Sequence, residues 1–415
     1  MIVACITLGS HGTWRVRPRL LDRLYASEFR SYATSPGIAT RISQPSLFLN
    51  VIDCQQSISF RKIHYYCQLF LPSANNRIEK SFFRRVIASK SVDCLSTLSF
   101  QIDMPFSHHS HSGQFCPGHA KNLLEEVIQT AIAQKMEVFC LTEHMPRGKE
   151  DFYPEEKTDG LSTEEWLIEN EAAFYTEGLR LRQKYASQIK LLIGFEIDWI
   201  RPESLRLIQT SLSRLPFELF VGSVHHVHTI PIDYDVSMYH KAREIAGGTD
   251  ERLFEDYYDS QLDMLQKLKP PVVGHFDLIR LKSDDPNASF AKYPKVWEKI
   301  LRNLRFIAGY GGMLELNSAA LRKGMTEPYP KGEICKEFLA MGGRFCMSDD
   351  SHGIDQVGFG YRQVLEFIEQ TGITVIHYLD LSDEDATFDD RFPSVRIRSV
   401  SVGALKQKPF YRELV

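Results

Sequence analysis

At 415 residues the chain can hold one large barrel or two to three smaller domains, and either would bury a sizeable core. Its 43% hydrophobic and 25% charged residues are those of an ordinary soluble globular protein, and no run approaches the roughly 18 apolar residues of a membrane span, which argues against an integral membrane protein. The net charge of −4 is unevenly spread: residues 1 to 103 carry 13 Lys and Arg against 6 Asp and Glu, and the remainder 36 against 47, so the main body lacks the basic clusters of a nucleic-acid-coating surface.

Taken in order, residues 1 to 103 show no sustained helical or strand period. Arg15, Arg17, Arg19, Arg23 and Arg30 run through Ser-rich, acid-poor sequence in the manner of a mitochondrial presequence. The alternatives are a disordered extension or a misassigned start, because Met104 stands just before the first histidine cluster. The segment is therefore expected to lie outside a single domain over 104–415. Its protein is expected to be cytoplasmic, or mitochondrial if the segment is a working signal. Eight cysteines, with no paired C-x-x-C spacing, read as reduced intracellular thiols. Cys116, three residues before His119, is either a metal ligand or an ordinary loop cysteine.

After Met104 a strand-then-helix rhythm begins. A short apolar run ends in His108-His109-Ser110-His111, where alternation on an extended strand puts His109 and His111 on one face. Lys121 to Lys135 places Leu123, Leu124, Val127, Ile128, Ala131 and Ile132 at helical spacing. The next strand, Val138 to Leu141, ends in Thr142-Glu143-His144. A helix over Thr163 to Tyr185 leads into a strand over Ile189 to Ile193, followed by Gly194-Phe195-Glu196. A helix near Pro202 to Leu215 precedes Leu219 to Val221, which closes on His225. A long loop and a helix over Asp250 to Leu268 reach Val272-Val273-Gly274-His275. A helix containing Asn303 leads to Met313 to Asn317. The last unit runs from a helix over Gly332 to Met341 into Phe345 to His352, with a closing helix over Gln356 to Gln370. Seven such units predict a parallel barrel wrapped in helices. Six of the seven strands end in a potential metal ligand, and in parallel barrels the strand ends meet at one mouth.

These motifs resemble the PHP (polymerase and histidinol phosphatase) superfamily, most closely its fungal-type monofunctional histidinol-phosphatases. The resemblance covers about Met104 to Tyr378. It rests on His109-Ser110-His111-Ser112, Leu141-Thr142-Glu143-His144, Gly194-Phe195-Glu196-Ile197-Asp198, Val221-Gly222-Ser223-Val224-His225, Ile230-Pro231-Ile232-Asp233, Gly274-His275-Phe276-Asp277, Glu315-Leu316-Asn317 and Ser348-Asp349-Asp350-Ser351-His352. It implies a distorted (β/α)7 barrel with three divalent metal ions held by His109, His111, His119, His144, Glu196, His225, His275, Asp350 and His352. Mixed imidazole and carboxylate donors independently suit Zn, Fe or Mn. Of adjacent pairs, His225 and Asp350 are expected in the site, with His226 and Asp349 in supporting places. His108, His228, His240 and His377 are expected to serve surface or core roles.

The activity implied is hydrolysis of L-histidinol phosphate to L-histidinol and phosphate in histidine biosynthesis. The expected chemistry is in-line attack on phosphorus by metal-bound hydroxide, with Asp350 or His352 giving a proton to the leaving alkoxide. Arg147, Arg280 and Arg322 follow strand ends and can clamp a phosphate or merely be solvated. Asp233 either meets the cationic part of the substrate or caps its loop. A nuclease-like phosphoesterase of the same superfamily and a non-catalytic metal-binding protein are the competing readings. A small-molecule phosphate ester is the expected partner, with no nucleic acid and no membrane. The sequence carries no indication of oligomeric state.

Overall fold

The computed structural model divides into two compact units, Met1–Phe100 and Gln101–Val415. It describes residues 105–382 and 389–413, together with two short strands in the first unit, Ile6–Leu8 paired antiparallel with Trp14–Val16. Apart from that strand pair, the presequence-like character expected of residues 1 to 103 falls outside the described residues.

The second unit is built on seven parallel strands: β1 (Phe106–Ser107), β2 (Val138–Leu141), β3 (Lys190–Asp198), β4 (Leu219–Ser223), β5 (Val272–Val273), β6 (Met313–Asn317) and β7 (Arg344–Ser348). Each pairs with the next in chain order. Parallel strands covered by helices are buried on both faces, and β2, β4 and β6 are buried along their whole length. The ring nearly closes between β1 and β7. His108 N donates to Met347 O (3.1 Å), His111 N donates to Ser351 O (2.8 Å), and Ser110 forms a parallel bridge with Ser351.

The helices form where caps and spacing agree. α1 is Leu124–Ala133, and α2 (Glu164–Tyr185) starts at Thr163, whose hydroxyl accepts from Trp166 N. α3 is Ser204–Arg214 and α4 is Val236–Ile245. α5 (Asp250–Leu268) is capped in the same way by Thr249. α6 (Pro294–Tyr310) opens on proline, stops at Gly311 in the left-handed region, and buries Val296, Ile300, Asn303, Leu304 and Ile307 along one stripe. α7 is Gly332–Ala340 and α8 is Tyr361–Thr371.

Three features differ from the sequence expectation. β3 runs on to Asp198, so Glu196 and Asp198 belong to the strand and share a face. The long loop after His225 contains α4, capped by Asp235 but burying only Tyr239 and Ala242, too few apolar positions for its period to stand out. Beyond α8, Val375–Leu381 pairs antiparallel with Val395–Ser401, and Leu379 N donates to His108 Nε2 (3.0 Å). With His108 Nδ1 against Met347 O at 3.1 Å, that histidine is a buried neutral linker.

Candidate metal centre

Glu196 is the hub. Its Oε1 lies 3.0 Å from His275 Nε2 and 3.3 Å from His225 Nε2. Its Oε2 lies 3.1 Å from His144 Nδ1, 3.2 Å from His109 Nε2 and 3.5 Å from His111 Nε2. Asp350 Oδ1 joins from β7, 3.5 Å from His111 Nε2 and 3.7 Å from His109 Nε2. Three groups therefore have donor atoms mutually within 4.8 Å: His111, His144 and His352; His109, Glu196 and His275; His109, His111 and Asp350. Six strands supply these eight residues, each at or just past its carboxyl end.

The polar atoms call for an occupant. His109 Nε2, both nitrogens of His111, His144 Nδ1, and Nδ1 of His225 and His275 are buried without a hydrogen-bond partner. A native fold rarely leaves such groups unmatched, at a cost of about 1–3 kcal/mol each. The electrostatics agree. Burial pulls the His111 imidazole down, but the carboxylates of Asp350 and Glu143, 3.5 and 3.7 Å from its nitrogens, outweigh it and push the group up to about 9. Burial pushes the Glu196 carboxyl up, and the surrounding His109, His225 and His144 more than reverse this, holding it well below the usual carboxylate range. A carboxylate field that favours positive charge, lined with imidazole lone pairs, fits a divalent metal.

Several carboxylates that orient this cluster were not picked out from the sequence. Glu315 on β6 takes His109 Nδ1 (3.1 Å), His275 N (2.6 Å) and Asn317 Nδ2 (2.7 Å), so His109 turns Nε2 to the centre. Asp198 lies 3.1 Å from His226 Nδ1 and 3.7 Å from His225 Nδ1. Glu143 accepts from Ser112 N and Oγ and lies 3.7 Å from His111 Nδ1. The signal was present in strand alternation, which places Asp198 beside Glu196 and Asn317 beside Glu315.

The expected site residues fare differently. His109, His111, His144, Glu196, His225, His275, Asp350 and His352 converge. His119 comes in from an exposed loop at the rim, and its ring lies beside the same cluster, its centroid 4.6 Å from that of His352 and 5.4 Å from that of His144. Asp349 is structural, accepting from Ser107 Oγ, Ser351 N and Gly358 N. Cys116 belongs to none of the three donor groups found among the described residues.

Asp350 and His352, the expected proton donors, each belong to one of the three groups that could hold a metal ion. Burial raises the Asp350 carboxyl, but His109, His111 and His352 hold it well below its usual range and so ionised. His352 Nδ1 faces Asp350 O at 2.9 Å, which leaves Nε2 as the lone-pair nitrogen. Asp350 itself has φ 49°, a left-handed conformation that a non-glycine residue keeps only when its surroundings enforce it.

Among the arginines, Arg322 donates to Asp349 O (3.1 Å) and Asp350 O (2.9 Å), and so holds that strained loop instead of turning its fork to a phosphate. Arg280 is also a correction. It is 2% exposed and spends its donors on Asp277, Pro286 O, Met325 Sδ, Glu327 O and Pro328 O, because the loop before α7 is built around it. Arg147 bonds Glu156 (2.7 Å) and lies over Tyr153, with Nε buried and unpartnered. Asp233 is carried back to the mouth by a hairpin in which His226–Val227 pairs with Ile230–Pro231, and Ile232 N donates to His225 O (2.9 Å). Its Oδ1 is buried without a partner.

A seven-stranded barrel with imidazoles and carboxylates gathered at one mouth defines a divalent-metal enzyme. The PHP domain matches residues 107–319, and the chain belongs to the PHP family. It is 44% identical over 273 residues to the "Probable histidinol-phosphatase" of Schizosaccharomyces pombe, covering 65% of this chain and 88% of that protein. It is 35% identical over 295 residues to the histidinol-phosphatase of Saccharomyces cerevisiae, covering 63% of this chain and 87% of that protein. The crystal structure of a histidinol phosphate phosphatase from Lactococcus lactis, complexed with zinc, L-histidinol and phosphate, has the same fold. Its TM-score is 0.51 at 22% identity, covering 64% of this chain and 93% of that one.

Proposed function

We propose that the chain is a histidinol-phosphatase, hydrolysing L-histidinol phosphate to L-histidinol and phosphate in histidine biosynthesis at a cluster of about three divalent transition-metal ions, Zn, Fe or Mn. The observation that carries this reading is the intact cluster around Glu196 in a chain that aligns with nearly the whole length of two relatives bearing that name. When bound, the ions supply Lewis acidity, neutralising phosphate charge and lowering the pKa of coordinated water to about 7. The protein's own residues do the rest. Glu315, Asp198 and Glu143 set the tautomer and tilt of the histidines, Arg322 holds Asp350 in place, and Arg147, whose Nε is buried without a partner, is the arginine we assign to the phosphate.

The test is phosphate release from L-histidinol phosphate by metal-loaded protein, run beside single-stranded DNA as substrate. Release from the ester alone is expected, since the acidic body disfavours nucleic acid. Cleavage of DNA alone would favour the nuclease-like reading. Elemental analysis is expected to find about three metal equivalents per chain, and one or fewer after repletion would count against a trinuclear site.

Substrate selection needs more than metal, because a metal cluster alone hydrolyses many esters. L-histidinol phosphate carries an ammonium and an imidazole, and the unpartnered Asp233 Oδ1 is an acceptor suited to either. Asp233→Asn is expected to lower kcat/KM for L-histidinol phosphate about ten- to a hundredfold, the worth of one charge-assisted hydrogen bond, while sparing a simple aryl phosphate. Equal losses on both substrates would place Asp233 with the metals instead. A chain beginning at Met104 is expected to remain folded and active, because the change in charge and periodicity falls at that boundary. Insolubility of that chain beside an active full-length protein would make the N-terminal segment part of the fold.

A further inference from the structure

Tyr329, in the loop between β6 and α7, is wholly buried, yet its hydroxyl has no hydrogen-bond partner. The residue is held from several sides. Asn317 N donates to Tyr329 O (2.7 Å) and Tyr329 N donates to Asn317 O (3.1 Å). The side chain of Asn317 in turn donates to Glu315 Oε1 at 2.7 Å and lies 3.4 Å from Asp350 Oδ2. The Arg280 guanidinium lies 5.0 Å from the ring centroid and is itself fixed by the carbonyls of Glu327 and Pro328 on the same loop. The ring meets His275 edge-on, with centroids 6.2 Å apart and planes at 72°. The carboxylates of Asp277, Asp233 and Asp350 are near enough to act on the phenol electrostatically.

A phenol is a donor at neutral pH, and this one is rigidly placed beside a metal-ligating histidine with nothing in the protein to donate to. A cation would not take a hydrogen bond; an anionic ligand would. We propose that the Tyr329 hydroxyl donates a hydrogen bond to a phosphoryl oxygen of the substrate and of product phosphate, an inference that rests on the phosphatase reading. It also gives buried Arg280 a purpose, since the arginine reaches the site through the ring it holds.

Tyr329→Phe removes one oxygen and keeps the ring, so folding should be preserved. Isothermal titration of inorganic phosphate into metal-loaded protein reads the contact without turnover. Binding is expected to weaken about ten- to a hundredfold, with a parallel fall in kcat/KM for L-histidinol phosphate and with metal content and Tm as in the wild type. Unchanged phosphate affinity overturns the proposal. Loss of metal from the variant also overturns it, by assigning the hydroxyl to the ions. Should the wild-type protein bind phosphate but leave L-histidinol phosphate intact, the phosphatase reading fails, while the comparison of phosphate affinities still judges Tyr329.

Discussion

Glu196→Gln is expected to lower kcat/KM for L-histidinol phosphate by on the order of a hundred- to a thousandfold, the scale seen when one preorganised electrostatic group is removed from an active site. Both oxygens are in use: Oε1 faces His225 and His275, and Oε2 faces His109, His111 and His144. An amide keeps the shape but loses the charge, and its NH2 group would point at one set of the histidine nitrogens around it. Metal content should therefore fall with activity, while far-UV circular dichroism stays that of the wild type because the barrel's apolar layers are untouched. Full metal occupancy in the variant would show that the Glu196 charge is not needed to hold the metal. An unfolded variant would make its role structural.

Gly274→Ala is expected to destabilise the protein by about 1–3 kcal/mol, the usual cost of overfilling a packed interior, and to lower activity with it. A Cβ at this position would lie 2.4 Å from Ser223 Oγ and 2.8 Å from Val221 Cγ1, both on the neighbouring strand β4. The strands must then part. His275 follows immediately, and its Nε2 lies 3.1 Å from His225 Nε2 just beyond β4, so separation of the strands opens the metal site as well as the core. Thermal unfolding and metal content of one preparation check both effects. A Tm equal to that of the wild type would mean that β4 and β5 accommodate the methyl without moving.

The arginines mark how far local sequence reaches. Arg147, Arg280 and Arg322 all follow strand ends, and by position alone each could grip a phosphate. In the fold, two of them are turned to main-chain carbonyls: Arg322 secures the left-handed Asp350, and Arg280 secures the Tyr329 loop. Guanidinium donors serve a loop carbonyl as readily as an anion, and only the path of the loop decides between them.

By itself the sequence determined the barrel and, through the family its motifs resemble, which residues to look for at its mouth. Strand–helix alternation is written in local periodicity, and a parallel barrel must bring its strand ends to one mouth, so potential ligands at six strand ends could be expected to meet there, and the family resemblance picked out His109, His111, His144, Glu196, His225, His275, Asp350 and His352 among them. Alternation within a strand also meant that only one of His225 and His226 could face the mouth, the family pattern choosing His225, and the two-residue spacing to His352 chose Asp350 over Asp349. What only the tertiary structure decided is which groups face one another across the barrel. Glu315 stands 206 residues from His109, and Asp349 stands 242 from Ser107, yet each pair is hydrogen-bonded. The same holds for the exposed place of His119, the inward return of Asp233, and the unpartnered hydroxyl of Tyr329. Each depends on loop paths set by packing between distant segments, and a loop has no period from which its path can be read.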